Sequence, residues 1–222
     1  NIVRNNTLTG NGEGGVGLIG GAENSVVTGN RFLGNGGVAV LIEDARGHRI
    51  EANTISGLIS NPLIDSDGGI FLVSASDNVI FDNEVSDAGD AGIYMADGSH
   101  RNLVEGNTVY RTSDAGIVVS GSDDNRVLDN VVHRTGGAGI GLGDASHTTV
   151  RGNDVRFNPT GIEMGGANDN LIEDNDASYS QADAIVLEGG LGNAILNNLA
   201  NNSGGTGLSL EADALDTLGN PI

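Results

Sequence analysis

Three side chains that could exchange protons or bind an anion recur at a constant interval, since Tyr110, His133 and Arg156 are 23 residues apart in each case. A Tyr hydroxyl and a His imidazole are suited to general acid and base catalysis, and an Arg guanidinium can neutralise a carboxylate. Such a set could remove the C5 proton of a uronic acid, because neutralising the sugar carboxylate lowers the barrier to that step. We predict that the three residues are catalytic; the alternative is that they are unrelated surface residues.

The interval belongs to a repeat that covers the chain. An Asn-x-aliphatic phrase occurs nine times, with gaps of 24, 23, 30, 24, 23, 23, 22 and 23 residues, at Asn6, Asn30, Asn53, Asn83, Asn107, Asn130, Asn153, Asn175 and Asn198. A Gly-aliphatic-x-aliphatic phrase, with Ala184 replacing the Gly in one copy, follows with the same period. Two independent phrases repeated in this way predict a solenoid.

Each copy contains three short apolar stretches that alternate with polar residues, as in Gly116–Val119, where Ile117 and Val119 are predicted to face inward. We therefore predict an all-β, single-stranded parallel β-helix of about nine coils, each of 22–24 residues. The repeated Asn should form a ladder at a corner in the left-handed backbone conformation, and the repeated Gly should allow positive φ or close approach. Val127 is predicted inside this stack and Ser122 outside it.

Composition excludes several functions. The chain has 222 residues, which suits one domain, and its net charge of −20 argues against binding nucleic acid or an anionic membrane. All ten basic residues are Arg, so Schiff-base chemistry is excluded, and the lack of Cys excludes disulfides and thiol nucleophiles. The apolar runs are too short for membrane insertion.

The repeat is interrupted once, by about seven extra residues at 57–67. This insertion is predicted to be a surface loop. It either belongs to a binding face or is a surface loop that the fold tolerates. Residues 1–222 begin and end within a coil and show no capping segment. Because an uncapped solenoid exposes unpaired strand edges, we expect a part of a longer chain, or end-to-end or homo-oligomeric packing.

The phrase Asn-x-Val/Ile-x-x-Asn-x-Val/Ile, as in residues 102–109, resembles the right-handed parallel β-helix repeat of the pectate-lyase-like superfamily. The resemblance covers essentially the whole chain. It implies a right-handed coil, a secreted or cell-surface location and a polysaccharide partner. It does not choose an activity, because the superfamily contains lyases, hydrolases, epimerases, phage depolymerases and non-enzymatic surface proteins.

In that superfamily the substrate groove usually follows the outer face of the strand after the Gly, bordered by the preceding turn. The resemblance therefore implies substrate binding by Arg111, Arg134, Tyr94, Asp114 and Glu163. The catalytic residue types are similar to those of alginate epimerases and Tyr/His lyases. The Asp-Pro-His signature of epimerase modules is absent, because no Pro in the chain precedes a His. Glu163 and Glu188 are candidates for a carboxylate pair of a hydrolase, facing each other on neighbouring coils; the alternative is that they are solubilising surface residues.

Two function classes follow. The first is an extracellular carbohydrate-active β-helix acting on or binding an acidic polysaccharide, like a lyase or C5-epimerase, although the charge of −20 repels polyanions. The second is a non-catalytic structural or adhesive solenoid. The sequence assigns no cofactor, and Ca²⁺ is a candidate. Acidic residues crowd the turns after the third strand and could bind Ca²⁺; the alternative is that they form a solvated acidic edge. These residues are Asp77, Asp123, Asp124, Asp144 and Asp169. The four His and two Met indicate no copper site.

Overall fold

The structure, a computed structural model, describes residues 1–58 and 68–211, and within these ranges it contains strands and no helix. Most of the insertion at 57–67 and the last repeat at Asn220 lie outside the described residues. The strands form three parallel sheets, and each coil contributes at most one strand to each sheet. No helix among the described residues could span a membrane.

Sheet A and sheet B are built from three-residue strands. Sheet A contains β1 (Ile2–Arg4), β4 (Val26–Thr28), β7 (Arg49–Glu51), β10 (Val79–Phe81), β13 (Leu103–Glu105), β16 (Arg126–Leu128), β19 (Thr149–Arg151), β21 (Leu171–Glu173) and β23 (Ala194–Leu196). Sheet B contains β2 (Thr7–Thr9), β5 (Arg31–Leu33), β8 (Thr54–Ser56), β11 (Glu84–Ser86), β14 (Thr108–Tyr110) and β17 (Val131–His133). Single bridges at Asp154, Asp176 and Leu199 continue sheet B through the next coils.

Sheet C holds the longer strands that follow the repeated Gly. It contains β3 (Gly14–Ile19), β6 (Val38–Glu43), β9 (Ile70–Val73), β12 (Ile93–Ala96), β15 (Ile117–Ser120), β18 (Ala138–Gly143), β20 (Thr160–Gly165), β22 (Ile185–Glu188) and β24 (Leu208–Glu211). Each strand pairs in parallel with its counterpart in the neighbouring coil. The predicted parallel β-helix of about nine coils is confirmed.

Inward-facing aliphatic rows fill the core. Ile117 and Val119 are fully buried, as predicted, and so is Val127, which pairs with Val104 and Val150 on the neighbouring coils. The prediction for Ser122 is wrong, because this residue is fully buried. Its Oγ donates to Ser120 O at 2.9 Å and accepts from Ser99 N at 3.1 Å. Small buried residues occupy the equivalent position in other coils, and these include Ala45, Ala75, Ser99, Ala145 and Ala167.

The Asn ladder is confirmed. Asn107 is buried, and its Oδ1 accepts hydrogen bonds from the backbone N and the Nδ2 of Asn83 at 2.9 and 3.0 Å. Its Nδ2 donates to Asn130 Oδ1 at 3.0 Å and to Ile80 O at 2.9 Å. Each ladder Asn thereby satisfies buried backbone groups that a tight corner would otherwise leave unpaired. A second ladder lies five residues before the first and includes Asn78, Asn102, Asn125 and Asn170.

The predicted backbone role of the Asn is wrong. The left-handed conformation belongs to the residue before each ladder Asn, for example Asp129 (φ 52°) before Asn130 and Ala52 (φ 52°) before Asn53. That residue makes the turn, so the Asn itself can point its amide inward. At Gly116 close approach is the reason for Gly, because a Cβ there would collide with Val132 and lie 2.8 Å from Gly139 O.

His48 replaces an Asn in the second ladder. Its Nδ1 accepts a hydrogen bond from Ser25 N at 3.1 Å, and its Nε2 lies 3.1 Å from Ala22 O. Because a backbone N–H can only donate and a carbonyl can only accept, the bound tautomer is neutral with its proton on Nε2. Burial lowers the pKa of His48 below 6.5.

This geometry predicts acid sensitivity. The folded protein binds fewer protons at His48 than the unfolded chain does, so its contribution to stability is present above pH 6.5. As the pH falls below 6.5, that contribution decreases by up to about 1.4 kcal/mol per pH unit. His48→Asn, which restores the ladder amide, should reduce the difference in urea midpoint between pH 7 and pH 5. His147→Asn, at an exposed side chain, is the control; equal pH dependence in the two variants would contradict the prediction.

Candidate functional site

The three candidate catalytic residues lie on successive coils at the end of sheet B, where the chain turns towards sheet C. Tyr110 pairs directly with His133 in the register of β14 and β17. The bridge between Val131 and Asp154 carries the same register into the next coil, so Arg156 takes the place equivalent to His133. Residues that are one coil apart in sequence therefore lie close together, because neighbouring parallel strands are about 4.8 Å apart.

Asp154 connects two of these residues. His133 Nε2 lies 2.9 Å from Asp154 Oδ1, and Arg156 donates from Nε to Oδ1 at 2.8 Å and from Nη2 to Oδ2 at 2.6 Å. Burial raises the pKa of Asp154, but the hydrogen bonds from Arg156 and His133 outweigh it and hold the pKa at about 2. The ionised carboxylate can only accept, so His133 Nε2 carries the proton of this contact, and in the neutral imidazole the lone pair lies on Nδ1.

The charge of Arg156 is already balanced. Besides the two hydrogen bonds to Asp154, its Nε lies 3.6 Å from Asp176 Oδ2. A guanidinium held in this way positions Asp154, and little of its charge is left for a substrate carboxylate.

The neighbouring predicted residues differ in whether their side chains already have hydrogen-bond or ion-pair partners. Tyr110 donates its hydroxyl proton to Glu84 Oε1 at 2.7 Å. Arg111 binds both carboxylate oxygens of Asp87, at 2.8 and 2.7 Å, and its Cζ lies 4.5 Å from the Tyr110 ring centroid. Arg134 is exposed and forms no ion pair among the described residues. Arg134 is therefore the cation of this group that is available to an anionic ligand.

Tyr94, Asp114 and Glu163 line a different feature, a shallow groove of about 320 Å³ on the outer face of sheet C. Part of its lining is glycine, at Gly137, Gly141, Gly143 and Gly165. Burial, followed by the charges of Glu188 and Asp114, raises the pKa of Glu163. Glu163 pairs in register with Val186, and Glu188 pairs with Gly165, so the two carboxylates are diagonal neighbours and do not face each other directly.

The predicted residues thus form two groups that make no direct contact with each other. Within residues 1–58 and 68–211, no hydrogen bond, ion pair or ring contact joins Tyr94, Asp114 or Glu163 to the Tyr110, His133 and Arg156 group. The prediction from sequence missed Asp154, and it also missed the exposed rings of Phe157 and Tyr179 next to Arg156. The available signal was that two aromatic residues occur where the first three coils have Gly10, Gly34 and Gly57.

The turn aspartates form no metal centre in the part of the chain that the structure describes, where no group of three or more His, Asp or Glu could hold an ion. Asp77 is instead bound by Arg101 at 2.8 and 3.0 Å, and Asp123 Oδ1 accepts from Ser146 N at 3.0 Å. Ca²⁺ binding stays a prediction.

Several solved structures are similar to this chain in fold. The periplasmic alginate epimerase AlgG matches with a TM-score of 0.72 at 16% identity, over 80% of this chain and 46% of that one. The Streptococcus pneumoniae surface protein and adhesin PfbA matches at 0.77 and 15% identity, over 95% of this chain and 66% of that one. The Azotobacter vinelandii mannuronan C-5 epimerase AlgE4 A-module matches at 0.65 and 13% identity, over 95% and 78%. The chain thus spans about half the length of AlgG, and no curated protein sequence matches it.

Two family models match, each over more than half of the chain: the right handed beta helix region over residues 1–132, and the periplasmic copper-binding protein NosD over residues 104–218. Copper sites use Cys, Met or His ligands, but the chain lacks Cys and both Met95 and Met164 are buried in the core. The described residues offer no metal-holding group, so they do not fit a copper site. By its repeat, its three parallel sheets and these matches, the chain belongs to the right-handed beta helix family and, over its C-terminal half, to the NosD family.

Proposed function

We propose that this protein is a carbohydrate-active β-helix that acts on an acidic polysaccharide by acid–base chemistry, as a lyase or a C5-epimerase does. The observation that carries the proposal is the chain of contacts from Arg156 through Asp154 to His133, at 2.6–2.9 Å. A carboxylate that orients a His and keeps one ring nitrogen free is the arrangement expected for a general base.

In this mechanism His133 Nδ1 removes the C5 proton of a uronate unit. Arg134 binds the sugar carboxylate and stabilises the charge that develops there. In a lyase, the C5–H electrons form the C4–C5 double bond, the C4–O bond breaks, and Tyr110 protonates the leaving oxygen. In an epimerase, Tyr110 returns a proton to C5 from the opposite face. In the structure the Tyr110 hydroxyl donates its hydrogen bond to Glu84 Oε1 at 2.7 Å, so in this mechanism Tyr110 exchanges that hydrogen bond for one to the sugar before it transfers the proton.

An extracytoplasmic location is part of the proposal. The similar solved structures include a periplasmic epimerase and a surface adhesin, and the NosD family is described as periplasmic. The net charge of −20 would oppose a polyanion, so Ca²⁺ is proposed as a bridging ion between protein and polymer and not as a catalytic centre. Comparing the activity in Ca²⁺ with the activity in EDTA tests whether Ca²⁺ is needed.

The test is turnover of polymannuronate, polygalacturonate and hyaluronan, followed by ultraviolet absorbance of the new double bond and by NMR of the sugar C5 configuration. His133→Ala should lower the rate by about 10²–10⁴-fold because it removes the base, and Tyr110→Phe should lower it by about 10²-fold or more. His147→Ala, at an exposed side chain, should keep full activity. Full activity in His133→Ala would disprove the mechanism.

The second candidate is a non-catalytic structural or adhesive solenoid. It is favoured by the likeness to the adhesin PfbA, with a TM-score of 0.77. It is also favoured because the side chains of Tyr110 and Arg156 are already bound to carboxylates of the protein itself, Glu84 and Asp154. A folded protein that leaves every polymer unchanged, with and without Ca²⁺, would support this function over catalysis.

A further inference from the structure

Two exposed aromatic rings are stacked beside the His133 group. The centroids of Phe157 and Tyr179 are 5.4 Å apart, and their planes make an angle of 15°. Phe157 is 46% exposed and Tyr179 is 48% exposed, whereas the other five Phe and Tyr residues are buried or half-buried. The chain has only seven Phe and Tyr residues and no Trp, so the exposure of two stacked rings at one place is unusual.

The backbone at these two rings is unfavourable for aromatic residues. Phe157 has φ 62° and Tyr179 has φ 60°, in the left-handed region that bulky residues rarely adopt. The equivalent place in the other coils is left-handed as well, and there it holds Gly10, Gly34, Gly57, Asp87, Arg111, Arg134 and Asn202. The solenoid therefore needs a left-handed residue at this corner but does not need a ring, and retained strain of this kind indicates a function.

The pair is continuous with the proposed catalytic group. The Phe157 ring meets the His133 ring edge-on, with centroids 6.0 Å apart and planes at 82°. Arg156 Cζ lies 5.7 Å from the Phe157 centroid. Arg134, Phe157 and Tyr179 occupy the same corner on three successive coils, so they follow the solenoid axis in a line beginning next to His133.

We propose that Phe157 and Tyr179 form a sugar-binding strip that holds further units of an acidic polysaccharide chain, on the side of His133 opposite to Tyr110. The proposal rests on the proposed function and deepens it, since it makes long polymers the substrate. Sugar rings present apolar C–H faces that pack on aromatic rings, while Arg134 binds a carboxylate. Since the net charge of −20 opposes a polyanion, apolar contacts of this kind must supply much of the affinity.

The double variant Phe157→Gly with Tyr179→Gly tests the strip, because Gly adopts this backbone without strain and the fold should remain intact. Affinity is measured by calorimetry for the disaccharides and hexasaccharides of mannuronate, galacturonate and hyaluronan, in a His133→Ala background that prevents turnover. The hexasaccharide that binds should bind about tenfold to 100-fold more weakly, with little change for the disaccharide. Leu196→Ala, at an equally exposed apolar residue of sheet A, should bind normally.

The outcomes separate the two proposals. If the protein with intact His133 turns over a polymer but the double variant binds its hexasaccharide normally, the strip is overturned and the proposed function stands. If a hexasaccharide binds without any turnover, and the double variant weakens that binding, the strip stands and catalysis is overturned. If no oligosaccharide binds and no polymer is turned over, both are overturned. An equal loss for disaccharide and hexasaccharide would also overturn an extended strip.

Discussion

Val127→Asp is expected to lower the free energy of unfolding by about 5 kcal/mol. Val127 is completely buried in sheet A, between Val104 and Val150 of the adjacent coils. An Asp at this position would place a carboxylate among aliphatic side chains, where no cation or donor can reach it. Domains of this size have about 5–15 kcal/mol of stability, so between about one third and all of it would be lost.

The matched control is Val131→Asp, the same substitution at a residue of β17 that is 37% exposed. Its carboxylate can remain in water, so the effect should stay within about 1 kcal/mol. Urea unfolding followed by circular dichroism measures both variants. Similar unfolding midpoints for the two would show that the assignment of inner and outer faces is incorrect.

Asn107→Ala should lower the free energy of unfolding by about 3–4 kcal/mol, through lost hydrogen bonds and not through lost apolar burial. Its side-chain amide serves both neighbouring coils: Oδ1 accepts twice from Asn83, and Nδ2 donates to Asn130 and to Ile80 O. Ala would leave the buried backbone N–H of Asn83 and the carbonyl of Ile80 without partners. Their desolvation is then uncompensated.

Asn201→Ala is the control, because the Asn201 side chain is exposed. Hydrogen exchange adds a second readout, since the Asn83 amide should lose protection in Asn107→Ala while amides several coils away keep it. A loss of stability no larger than that of Asn201→Ala would mean that the ladder contributes register without stability.

The fold could be predicted from the repeat alone. In a solenoid each residue contacts the residue one period away, so a fixed interval in sequence is also a contact in space. The nine Asn phrases therefore predicted the ladder, and the alternation at Ile117 and Val119 predicted which side chains enter the core. The same reasoning predicted that Tyr110 and His133 are neighbours.

The corners were beyond such reasoning. Period-two alternation stops where a strand ends, so it could not show that Ser122 turns inward or that Asp129, and not Asn130, takes the left-handed conformation. Both depend on how the backbone turns between strands, which the apolar pattern does not encode. The coil spacing was readable from the sequence; the geometry of each turn was not.

The same limit applies to the candidate site. The sequence determined that Tyr110, His133 and Arg156 recur at one place in successive coils. Three further features were visible only in three dimensions: Asp154 bridges His133 and Arg156, a groove is lined by Tyr94, Asp114 and Glu163, and the exposed rings of Phe157 and Tyr179 are stacked. The physical reason is that spacing along a solenoid sets which coil a residue joins, whereas side-chain direction at a corner is set by the backbone dihedrals and by the charges of the neighbouring coils.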